Sequence, residues 1–91
     1  MAPGSSGSAL NVSAATVIKA APGTVGTVSV VTAGSSVGGV YDLAVATGYD
    51  AANQVGTIPE AVGTYPFFSF PCFAGILIVP GTGQVVSVSF S

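Results

Sequence analysis

The chain has 91 residues, of which 49% are apolar and only Lys19, Asp42, Asp50 and Glu60 are charged, for a net charge of −2. One cation excludes a phosphate-neutralising patch and hence nucleic-acid binding, and one Cys with no His excludes an intrachain disulfide and an ordinary zinc cluster. Mean hydropathy is +0.80, yet Gly, Ser, Thr and Pro interrupt every segment before about 18 apolar residues accumulate, so no membrane-spanning helix is expected.

The chain opens on a Gly/Ser/Pro stretch, Met1 to Ser8, without the basic and apolar regions of a secretory signal. It reads as part of a flexible N-terminal arm, residues 1–12, ahead of a single β-sandwich domain, residues 13–91. Ser13 to Ala21 and Thr24 to Thr32 read as two strands joined by a Pro22-Gly23 turn. Lys19 is the one cation, and an edge charge that discourages misplaced strand pairing is its expected role, with a salt bridge across a subunit contact as the alternative. Gly34 to Gly39 reads as a loop, and Val40 to Ala46 as a strand with Tyr41, Leu43 and Val45 on one side.

Thr47 to Asn53 has the composition of a loop or a single helical turn, Gln54 to Ile58 of a short strand, and Thr64 to Phe70 of another. The last quarter carries the clearest signal. Val86, Val88 and Phe90 alternate with Ser87, Ser89 and Ser91, the period of two that a half-buried strand requires. Gly75 to Val79 and Gln84 to Ser91, linked by Pro80-Gly81-Thr82-Gly83, are expected to pair as a β-hairpin that carries the core.

About seven strands with turn signals every 8 to 12 residues give the spacing of an all-β fold, a small antiparallel β-sandwich or jelly-roll-like barrel. A domain this small buries only about 60–65% of its unfolded surface. The second faces of the two sheets are expected to be small, uncharged and rich in Ser and Thr, and with the low charge and small core they point to burial against other copies of the chain or a larger assembly.

Catalysis is not expected. A serine nucleophile needs a base, and no His is present; Asp42, Asp50 and Glu60 read as surface or turn-capping acids, with Asp42 suited to binding turn amides and Asp50 and Asn53 to local capping. Cys72 has no neighbouring cation and reads as a small buried hydrophobe. The glycines form no phosphate loop, no calcium-loop pattern occurs, and no cofactor is expected. Phe67, Phe68, Phe70 and Phe73 are expected mostly in the core, except that adjacent Phe67 and Phe68 cannot both point inward from a strand. The candidate interface residues are therefore Phe67, Phe68, Tyr65, Tyr49 and Lys19.

The order SAATVIKAAPGTVGTVSVVTAGSSVGGVYD, then AANQVGTIP, then FPCFAGILIVPGTGQVVSVSFS resembles small structural proteins that tailed bacteriophages encode beside their head genes. The resemblance spans Ser13 to Ser91. It implies a non-enzymatic virion component, a capsid decoration or cement protein on the head surface, with itself and the major capsid protein as partners. The alternative expectation is a tail or fibre module that binds a host-surface glycan through Tyr41, Tyr49 or Tyr65.

Overall fold

The computed structural model describes residues 7–91. Eight strands form in chain order: β1 (Gly7–Val12), β2 (Thr16–Lys19), β3 (Gly23–Thr32), β4 (Gly38–Tyr41), β5 (Gln54–Ile58), β6 (Gly63–Cys72), β7 (Ile76–Val79) and β8 (Val85–Phe90), with a single 3₁₀ turn at Ala51–Asn53. They make two four-stranded sheets, β1-β8-β3-β6 (sheet I) and β2-β7-β4-β5 (sheet II). Every pairing is antiparallel. Four pairs are nested, β4 with β5, β3 with β6, β2 with β7 and β1 with β8, as in one long hairpin whose tip is the β4–β5 connection. Rolling that ribbon brings β8 against β3 and β7 against β4, which is the jelly roll, the double-sheet solution that leaves two short edges per sheet.

The rolled ribbon corrects both local hairpins expected from sequence. The Pro80-to-Gly83 turn leads from β7 in sheet II to β8 in sheet I, and the Pro22-Gly23 turn leads from β2 in sheet II to β3 in sheet I. A turn signature reports reversal of the chain; it says nothing of which layer the next strand joins. The arm expected over residues 1–12 is also revised. Its residues 1–6 lie outside the described residues, and Gly7–Val12 is a strand, with Gly7 opposite Phe90 and Val12 opposite Val86. The Val40-to-Ala46 strand stops at Tyr41 because Asp42 turns its carboxylate to the β6–β7 loop.

The core lies between the sheets. Val25, Val28 and Val30 of β3, Val40 of β4, Ile58 of β5, Ile76 and Ile78 of β7, and Val86 and Val88 of β8 are all buried, with Val12 and Cys72 beside them. β-branched side chains dominate, as suits a pleated surface. Leu77 has the opposite parity to Ile76 and Ile78 and lies outside that cluster, yet it is fully buried. Sheet II is therefore covered over Leu77 on its second face, while sheet I leaves Leu10 and Val31 72% and 58% exposed.

Each edge strand carries an obstacle to further pairing. β1 has a register shift with Asn11 at φ 57°; β2 is four residues long, irregular, and ends on Lys19. β5 has its Gly56 carbonyl bonded by the Gln54 side chain at 3.1 Å, and β6 contains Pro66 and Pro71, which have no N–H to offer.

Candidate functional site

The eight aromatic side chains divide into two equal groups, and glycine decides which is which. The Tyr41 ring lies where a β-carbon on Gly39 would stand, Tyr65 over Gly63, Phe67 over Gly56 and Phe90 over Gly7. These four are half-buried, and Tyr65, Phe67 and Phe90 pack on the core. The other four are open: Phe68 is 86% exposed, Phe73 77%, Phe70 45% and Tyr49 41%. The expectation that the phenylalanines of the last quarter are mostly core is thus corrected; Phe67 alone of those four is half-buried, and no glycine among the described residues seats the others.

Phe68 is thrown outward by the backbone. Between the pairs Val25↔Phe70 and Thr27↔Pro66, β3 supplies one residue, Gly26, and β6 supplies three. Phe68 and Ser69 take up the excess at φ 55° and 59°, the left-handed region that non-glycine residues seldom occupy. Such a bulge re-aims a side chain, and here it lifts a phenylalanine off the sheet.

The candidate interface residues of the sequence reading do not form one patch. Tyr49 sits in the β4–β5 connection with its ring 5.0 Å from that of Tyr41, tilted by 49°. Tyr65 is committed elsewhere: its hydroxyl donates to the Ala61 carbonyl at 2.9 Å, in the β5–β6 loop at the opposite end of the roll. The three tyrosines accordingly share no single platform. Lys19 closes edge strand β2 and is half-buried, its stem beside Gly23. Phe67 is seated on Gly56, which leaves Phe68 and Tyr49 as the exposed members of the set.

Two of the three acids, Asp42 and Asp50, are used in turns. Asp42 Oδ1 accepts from the amides of Ala74 and Gly75 at 2.7 and 3.3 Å, and Oδ2 from that of Phe73 at 3.0 Å. Burial by itself would raise this carboxyl, but those three amides outweigh it and hold its pKa below the ordinary value. Asp50 accepts from Ala52 N–H at 2.9 Å while its own N–H donates to Asn53 Oδ1 at 3.0 Å, a reciprocal cap for the 3₁₀ turn. Cys72 is buried, and burial, with the Asp42 charge adding to it, pushes its thiol up to about 11, so the reactive thiolate is scarce at neutral pH. No group of three His, Cys, Asp or Glu that could hold a metal occurs among the described residues.

The outer face of sheet I is the small, uncharged, Ser- and Thr-rich second face expected from sequence, and what sequence reasoning missed is that Ser8 and Leu10 belong to it. None of the residues in β1, β3, β6 and β8 carries a charge; Lys19 is in sheet II and the three acids are in connections. Hydroxyls cross this face in rows, Ser8↔Ser89↔Thr27 and Ser87↔Ser29↔Thr64, the last two 3.4 Å apart at their hydroxyl oxygens. A shallow groove of about 210 Å³ runs among Ser8, Leu10, Thr27, Ser29, Ser87 and Ser89. The β8 serines were legible as a polar stripe; Ser8 and Leu10 were hidden in what reads as an arm. No family model, curated protein or solved structure matches this chain.

Proposed function

We propose that this jelly roll is a non-enzymatic structural protein of a tailed-phage virion, a decoration or cement protein that sits on the head and strengthens it through contacts with the major capsid protein and with other copies of itself. The observation that carries the reading is the uncharged outer face of sheet I, with Leu10, Val31 and the bulge-borne Phe68 open to solvent. Apolar groups standing on a surface without charge are what a protein interface buries. The fold agrees by analogy, since jelly rolls recur in viral capsid domains. Phe73 and Tyr49 offer further apolar contact at the end of the roll closed by Asp42.

Electron microscopy of purified particles tests the proposal: density for this chain at regular positions on the head is expected, and density confined to the tail, or none, would count against it. Jelly rolls also recur in lectins, and the Tyr41–Tyr49 pair is the feature that favours the second reading, a tail or fibre module for a host glycan. Glycan-array binding abolished by Tyr49→Ala would favour that reading over head decoration.

A further inference from the structure

The outer face of sheet I has the properties of a surface made for its own copy. Hydroxyls both donate and accept, so rows of Ser and Thr can satisfy an identical set of rows, whereas a face of one charge would repel its duplicate. With every edge strand obstructed, strand addition is unavailable and face-to-face packing is the contact that remains. Four strands about 4.8 Å apart, two of six residues and two of ten, cover roughly 500 Å² in projection. Two such faces bury about 1,000 Å², below the range of stable interfaces and within that of transient ones, which suits a dimer that forms and dissociates.

We propose that sheet I packs on sheet I of a second copy about a two-fold axis, with Leu10 of each copy entering the 210 Å³ groove of the other. Such a contact is isologous, so one substitution changes both sides at once. It deepens the assembly reading above by naming the partner and the face.

Sedimentation of the full-length protein over micromolar to millimolar concentration tests it. A monomer–dimer equilibrium is expected, weakened about tenfold by Leu10→Ala. Ser87→Lys and Ser87→Glu should each abolish it, and an equal mixture of the two should restore pairing, which also establishes that both variants are folded. Thr57→Lys, on β5 of sheet II, should leave it unchanged. A protein that stays monomeric at millimolar concentration, or a dimer indifferent to Leu10→Ala and both Ser87 changes, overturns the inference. Pairing through this face without co-purification with heads would leave the inference standing and remove the virion reading; co-purification of a chain that never pairs would do the reverse.

Discussion

At one end of the roll an ionised carboxylate gathers three amides; at the other a neutral amide, sealed from water, bridges two loops. Asp42 ties the β4–β5 connection to the β6–β7 loop. Gln84, fully buried, accepts from Gly81 N–H at 3.0 Å and donates to the Pro59 carbonyl at 2.7 Å, tying the β7–β8 turn to the end of β5. Both side chains do the same mechanical task, holding connections between layers where no strand ladder can. They differ in what happens on removal: Gln84 would leave buried backbone groups without partners, whereas the amides on Asp42 are largely open to water.

The comparison is broken most severely by Gly81→Ala. A β-carbon there would run into the Ser36 carbonyl, a backbone atom that cannot swing away, and a loss of about 3 kcal/mol or more in urea unfolding is expected. Gln84→Ala comes next, at about 2–4 kcal/mol, because Gly81 N–H and the Pro59 carbonyl both lose their partner. Asp42→Asn should cost less, about 1–2 kcal/mol, since the amide keeps one acceptor and water reaches the rest.

The two ends also separate by pH. The Asp42 carboxyl is depressed on folding, so its stabilising contribution is present above its unfolded value of 3.8 and is lost as pH falls through the lower folded value. Melting curves between pH 2 and 6 should show that loss in the parent, a smaller one in Asp42→Asn, and the parent's full loss superimposed on lower stability in Gln84→Ala. Cys72 reports on the Asp42 end alone: its alkylation at neutral pH should be slow in the parent and at least about tenfold faster in Asp42→Asn, through local opening of the Phe73–Gly75 loop. The smallest effect is expected at Gly48, which has open space around it and φ 75°; alanine there meets no atom, and about 1 kcal/mol of backbone strain is the whole cost.

Local chemistry was legible and layer assignment was not. The alternation in Val86 to Ser91, the extent of Gln54 to Ile58, the turn-amide role of Asp42 and the burial of Cys72 all follow from neighbours in sequence, and the structure has each of them. Hairpins fail for the opposite reason: β7 and β8 are separated by a tight turn yet pair with β4 and β3, partners far along the chain. The phenylalanines fail in the same way, since the seat of Phe67 is Gly56 across the sandwich and no spacing rule links the two. β1 escaped notice because a Gly, a Ser and an Ala supply little hydrophobic contrast for a period-two signal.

The obstructed strand edges have a consequence for crowding. At high local concentration, open β-edges fuse into fibrils, the ordinary hazard of a nearly neutral strand-rich chain. A bulge, a lysine, a side-chain clamp on a carbonyl and two prolines close those routes one by one. Edge-to-edge growth is therefore blocked in both sheets, and concentrated protein is expected to stay free of fibrils.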